Sequence, residues 1–226
     1  MNIEKIFSPS FKIFSQTISS VVLFIIVYTV FLSFFSIEMD KAFSLSNDIS
    51  IIYLFIAFFT QLLYFILITQ FIFHQITKTK IIFNIKFIIE SIYKIIGLYI
   101  LILVPSISII IIFISIHQGA SILFGIIPIL LFITIFSNYI IINEQKNIFE
   151  SIADSYVIVK NNLSEVLILV MINIIFLFFI VMLSSIGLAI SLLFGSVLIN
   201  IFNYFTSIFN IQFYYLLTSR SRNNNE

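Results

Sequence analysis

Cysteine and tryptophan are missing from these 226 residues, and charge is scarce: 9% of positions are Asp, Glu, Lys or Arg, where a soluble domain carries roughly 25%. Without cysteine there is no disulfide, no thiolate nucleophile and no cysteine metal site. A net charge of +1 leaves no basic face for a nucleic acid to read. Only 3 prolines and 5 glycines punctuate the chain, and no polar stretch is long enough to house a separate soluble domain. What fills the chain is apolar: 61% of residues are hydrophobic and the mean hydropathy is +1.21. Water is not the solvent for such a surface, and residues 1–226 read as one integral membrane domain.

A helix needs about 20 predominantly apolar residues to cross a hydrocarbon core about 30 Å thick. Six runs nearly free of charge meet that length: 18–37, 49–73, 92–116, 121–142, 166–186 and 196–217. An apolar stretch, Gly187 to Gly195, joins the last two, so five spans or a re-entrant segment stay open there. Barrel strands would alternate polar and apolar positions over about 10 residues, and Val21-Val22-Leu23-Phe24-Ile25-Ile26-Val27 does not. The expected fold is an all-α polytopic transmembrane helix bundle. Its first run exceeds the 7–15 residue core of a signal peptide and is expected to stay attached as an anchor.

Orientation follows from where Lys and Arg fall in short connections. Lys5, Lys12, Lys78, Lys80, Lys86, Lys94, Lys146, Lys160, Arg220 and Arg222 lie on one side and Lys41 alone on the other. Both termini are therefore expected in the cytoplasm of a bacterial cell, with the chain in the inner membrane. Tyr53, Tyr93, Tyr139, Tyr214 and Tyr215 fall near span ends, where an aromatic belt belongs.

Two connections on the basic side, His74 to Ser91 and Asn143 to Glu165, read as amphipathic helices lying on the membrane surface. In the second, Ile148, Ile152, Tyr156 and Val159 share one helical face. Asn147 with Glu150 has the spacing of a capping box, and Asn161-Asn162 marks the end. In the first, Ile81, Ile85, Ile88, Ile89 and Ile92 oppose Lys86 and Glu90. Lys78, Lys80, Lys86, Glu144, Ser155 and Lys160 are the candidate cytoplasmic surface or lipid contacts, since a lysine gains about 1 kcal/mol beside an anionic leaflet.

No ionisable residue sits deep in a span, which disfavours a carboxylate proton relay. His74 and His117 fall at opposite membrane faces, so neither a metal nor another cofactor is expected. There is no G-x-S-x-G elbow, P-loop or dinucleotide fingerprint. The informative intramembrane feature is in the last run: Ser196, Asn200, Asn203, Ser207, Asn210 and Tyr214 recur at four, three, four, three, four. They form one polar stripe that should face inward, towards Gln61, Tyr64, Asn138 or Asn173. Such a stripe serves either as glue between helices or as a polar groove.

The run Ile141-Ile142-Asn143-Glu144, then Asn147-Ile148-Phe149-Glu150-Ser151-Ile152, Ser155 and Val159-Lys160-Asn161-Asn162, resembles bacterial six-helix inner-membrane proteins of the YciC type. It also resembles the membrane domain fused to some glycerophosphodiester phosphodiesterases. Glu144 takes the place of the family's Glu at the end of span four, Ser155 that of its late Ser, and Lys160-Asn161 that of its basic turn. Asp154 departs from the basic residue usual there. The resemblance implies the six-span architecture and carries no catalytic domain into this chain. The expected role is non-enzymatic, in membrane organisation or in assisting a partner; the alternative is a permease subunit whose helix 147–161 meets a soluble protein.

Overall fold

A computed structural model of the chain describes residues 4–44, 49–78, 84–115, 130, 132–190 and 192–223. Among these residues there are seven helices and no strand: α1 Glu4–Ser44, α2 Ile49–Thr77, α3 Ile85–Ser115, α4 Ser137–Glu144, α5 Ile148–Asn161, α6 Leu163–Ile190 and α7 Leu192–Asn223. Four stretches are long and apolar enough to cross a membrane: Glu4–Phe34, Phe55–Thr77, Leu163–Ser184 and Leu193–Ser219. They match the first, second, fifth and sixth runs of the sequence. The stretch from Gly187 to Gly195 is divided between two helices, which run to Ile190 and resume at Leu192. Glu38, Asp40, Lys41, Asp48, Lys80, Pro105, His117, Pro128 and the two arginines lie outside the residues whose side chains are described.

Contacts divide the chain into two compact units, residues 1–80 with 167–215, and 81–166 with 216–226. In the first unit, helices meet through aromatic side chains. Tyr64 of α2 stacks on Tyr28 of α1 at 3.9 Å between ring centroids and on Phe24 at 5.6 Å. Phe176 of α6 meets Phe202, Phe205 and Phe209 of α7 edge to face, at 5.6, 6.0 and 5.4 Å. The edge-to-face contacts of Phe176 are the geometry that ring quadrupoles favour. The outward surface of α6, including Met171, Ile174, Leu177, Phe178 and Val181, is exposed and apolar, as hydrocarbon requires.

Several hydroxyls inside these helices bond back to their own backbone, while Thr69 Oγ1 of α2 is buried without a partner. Ser10 Oγ donates to Ile6 O at 2.7 Å, Thr17 Oγ1 to Ile13 O at 2.7 Å, Thr29 Oγ1 to Ile25 O at 2.7 Å and Thr206 Oγ1 to Phe202 O at 3.0 Å. Each O–H thus closes on the carbonyl one turn back, and its lone pairs remain open to a neighbouring helix.

The second unit corrects one expectation. Among the described residues of the connection from His74 to Ser91 there is no separate surface helix: α2 continues through His74 to Thr77, Lys78 turns at φ 59°, and from Ile85 onward the residues belong to α3, which runs to Ser115. The physical reason is a buried stripe, Phe87, Ser91, Ile95, Leu98 and Ile102, with no Gly or Pro before Gly97 to interrupt it. Ile85, Ile89 and Tyr93 lie on the exposed side.

Candidate functional site

The polar stripe of α7 ends in hydrogen bonds to other helices. Asn210 and Asn173 of α6 exchange a reciprocal pair: Asn173 Nδ2 donates to Asn210 Oδ1 at 2.9 Å, and Asn210 Nδ2 to Asn173 Oδ1 at 3.1 Å. Asn173 Nδ2 also reaches Leu169 O at 3.0 Å. Asn200 Nδ2 donates to Thr29 Oγ1 of α1 at 2.9 Å. Ser207 Oγ turns back to Asn203 O at 2.9 Å. Tyr214 is buried, edge-on to Phe73 of α2 at 6.0 Å, and Ser196 at the other end of the stripe is half-buried.

Of the four inward partners the stripe pointed to, Asn173 is paired with it. Asn138 instead donates to Tyr99 Oη of α3 at 3.2 Å, and Tyr64 is engaged by rings. The partners that sequence reading missed are on α1. Tyr204, fully buried one position beyond Asn203, lies 2.7 Å from Thr17 Oγ1. Because the Thr17 hydroxyl already donates to Ile13 O, the Tyr204 phenol is the donor. The structure puts them in the core: Ile6, Ser10, Thr17, Val21, Ile25 and Tyr28 are all buried on α1, so its small hydroxyl residues share the buried side with the apolar ones.

A double-mutant cycle measures what the amide pair is worth. Interhelical hydrogen bonds in membranes average about 0.6 kcal/mol with a maximum near 1.7, so two reciprocal bonds should give a coupling of about 1 kcal/mol. Reversible unfolding of Asn173→Leu, Asn210→Leu and the double variant reads this coupling. A value indistinguishable from zero would leave the pair without a role in holding α6 to α7.

In the second unit, α5 is bounded as its sequence dictates. Asn147 Oδ1 accepts from Glu150 N at 2.9 Å and Glu150 Oε2 accepts from Asn147 N at 3.4 Å, a complete capping box. Asn162 closes the other end, its backbone N–H reaching Ile158 O at 3.1 Å. The buried face is only in part the one expected. Ser151, Ser155, Ile158 and Val159 are buried, Ile148 and Ile152 are intermediate, and Tyr156 is 47% exposed. Small side chains let two helix backbones approach closely, which in a membrane outweighs apolarity. The serines therefore take the inner side and Phe149, Tyr156 and Val157 the outer.

Ser155 is consequently no surface contact: it is fully buried. Its Oγ donates to Ile133 O at 2.6 Å and accepts from Phe136 N at 3.2 Å, across a turn at 134–136 that precedes α4. Ser137 Oγ donates to Ser151 O at 3.3 Å. Lys94 Nζ donates to Gln145 O at 2.8 Å, placing a cation on the carbonyl end of α4. Gln145 itself is left-handed, at φ 56°. Gly97 lies against Ile148, whose Cδ1 would be 2.6 Å from a Cβ there. Among the other expected surface positions, Lys78, Lys86 and Lys160 are exposed, and Lys86 stands 4.0 Å from Glu90.

Lys146 bridges Glu144 at 2.9 Å and Asp154 at 2.5 Å. Its hydrogen bonds to Asp154 and then Glu144 hold the ammonium pKa above the usual lysine range, against a smaller opposing effect of burial. A raised lysine pKa contributes stability that is fully present below the unfolded value, about 10.4, and is lost as pH rises through the folded value. The three side chains are 23–41% exposed, so the contribution is about 0.2–1 kcal/mol. The stability difference between wild type and Lys146→Met should stay constant from about pH 7 to pH 9 and vanish only above the ordinary lysine range. A difference already lost by pH 9 contradicts this.

Among the described residues, no group of three or more His, Cys, Asp or Glu side chains could hold a metal ion. An open apolar groove of about 370 Å³ in the first unit is lined by Phe7, Phe11 and Phe14 of α1 and Leu198, Phe202 and Phe205 of α7, among others. Comparison with protein-family models, with curated proteins and with solved structures yields no match.

Proposed function

We propose that this chain is a non-enzymatic integral protein of a bacterial inner membrane, crossing it six times with both termini in the cytoplasm, that assists membrane organisation or a protein partner. One observation carries this reading: three polar side chains of α7 are each bound to a polar side chain of another helix, although Tyr64 Oη, Thr69 Oγ1, Gln70 Oε1 and Gln212 Oε1 are buried without a partner. A catalyst or carrier needs polar groups converging on a cavity that takes a substrate. Here Asn173 and Asn210, Asn200 and Thr29, and Tyr204 and Thr17 are spent on each other, and the groove beside them is walled by hydrocarbon side chains.

The basic residues on one side of the six runs support the orientation, and the likeness of the Ile141 to Asn162 run to the YciC-type proteins supports the architecture. A reporter fused after Arg222 that is active only in the periplasm should stay silent, and one fused in the first loop, near Asp40, should be active. The reverse pattern overturns the topology. Crosslinking in native membranes, followed by purification in mild detergent, should recover a discrete partner or a self-assembly. Recovery of the monomer alone under every condition overturns the role.

A second reading, a permease subunit with α5 against a soluble protein, is favoured by the exposed Phe149, Tyr156 and Val157 on a helix capped at both ends. A photo-crosslinking residue at Phe149 distinguishes the two: adducts to a soluble protein favour the permease, and adducts to lipid or to a membrane protein favour the first.

A further inference from the structure

The apolar groove lies where rings hold α1 against α7. Phe7 meets Phe205 at 5.7 Å and Phe14 meets it at 5.5 Å, both edge to face. Phe11, between those two on α1, lines the groove and is 56% exposed. Leu198 and Phe202 continue the wall along α7. From Phe7 to Phe14 the helix rises about 10 Å, and a volume of about 370 Å³ is within the range of ligand sites, about 300–1,000 Å³. Such a groove suits a guest that is long, narrow and apolar.

The charge beside it is of one sign. Lys5, Ser8 and Lys12 recur at three and four and so share a side of α1. Phe7, Phe11 and Phe14 lie between that side and the buried Ile6, Ser10 and Thr17. Lys5, Ser8 and Lys12 are exposed, and among the described residues neither ammonium makes a hydrogen bond or an ion pair. Glu4 is the only acidic residue in the first four turns of α1, and α7 has none. The local balance is therefore positive. The crossing stretch Glu4–Phe34 has 31 residues, where hydrocarbon requires about 20. Its first turns, with both lysines, thus stand at headgroup level, and the groove leads from there along α7 towards Leu198.

We propose that this is a binding site for an anionic phospholipid, with one acyl chain in the groove and the headgroup phosphate between the Lys12 ammonium and the Ser8 hydroxyl. A zwitterionic lipid brings its own cation and gains little from the lysines. The site rests on the proposed function only in that α1 crosses a membrane. It serves in either orientation, so the reporter fusions that test the topology do not decide it.

The chain has no tryptophan, so Phe11→Trp puts a single fluorophore at the groove, at a position open enough for the larger ring. The full chain is reconstituted in phosphatidylcholine vesicles, and phosphatidylglycerol or phosphatidylcholine with brominated acyl chains is titrated in. Bromine quenches tryptophan on contact. Quenching should favour brominated phosphatidylglycerol by about fivefold, the effect of one lysine beside an anionic charge. Lys12→Gln, in the same background, should cut the preference below about twofold. Phe178→Trp, on the outward side of α6 and 64% exposed, should be quenched equally by both lipids. If Phe11→Trp does not assemble, Phe7→Trp reads the same groove from a position 45% exposed. Equal quenching by the two lipids at the groove overturns the site. So does a preference that survives Lys12→Gln, or one of the same size at Phe178→Trp, which would be general enrichment of anionic lipid around the protein.

Discussion

Replacing Phe209 by alanine should lower the unfolding free energy by about 3–5 kcal/mol, the range for emptying a fully buried aromatic site. Phe209 has no exposed surface. Its ring meets Phe176 at 5.4 Å, Phe7 at 6.3 Å and Phe213 at 6.5 Å, so one truncation strips contacts from α1, α6 and α7 together. In a bilayer the hydrophobic effect between helices is absent, because lipid tails are as apolar as the side chains. Dispersion and close packing must hold the unit, and a void that neighbours cannot refill is lost stability. Phe178 is the matching control, with the same side chain on α6 but 64% exposed. Its alanine variant should stay within about 0.5 kcal/mol of wild type. Reversible unfolding in bicelles compares the two, and equal losses would mean that Phe209 is not a packing centre.

That contrast explains which parts of the fold are legible in the sequence. The four long apolar helices are visible because hydrocarbon imposes length and excludes charge, and both leave plain traces. The ends of α5 are visible because capping needs particular side chains at fixed offsets, and Asn147, Glu150 and Asn162 are those side chains. The inward face of each helix is harder to see. In water a buried face is the apolar one; in lipid both faces are apolar, and the interior is marked by small and hydrogen-bonding residues instead. Choosing the inner face of α5 by its isoleucines therefore misplaces its centre: Val159 is buried as chosen, but Ser151, Ser155 and Ile158 lie inward and Tyr156 outward. The Asn173 partner of the polar stripe was legible for the same reason, being an amide amid apolar residues. Thr17 and Thr29 were not, since hydroxyls that bond back to their own helix look unremarkable in a span, and Tyr204 reads there as one more aromatic residue. Nor could spacing show that Ser155 Oγ bonds Ile133 O and Phe136 N, because that relation exists only once the segments are folded together.

Size, rather than polarity, should decide what Ser151 tolerates. Its side chain is fully buried, and its hydroxyl only returns to Asn147 O of its own helix at 2.7 Å. Ser151→Ala therefore deletes no bond between helices and is expected to cost less than about 0.5 kcal/mol, helped by the better helix propensity of alanine. Ser151→Leu forces two more heavy atoms between α5 and the α4 surface, where Ser137 Oγ already reaches Ser151 O at 3.3 Å. Overpacking of that kind costs about 1–3 kcal/mol, and here the upper end applies, because a rigid capped helix must lift as a whole to make room. Lifting α5 also draws Ser155 away from Ile133 O and Phe136 N, adding the loss of those two hydrogen bonds. Unfolding measurements on the alanine and leucine variants separate the causes. If the two lose stability equally, the hydroxyl matters more than the space and the small-residue account of this face is wrong. If only leucine is costly, then close approach of backbones sets α5 in place, with Ser155 recruited by that approach.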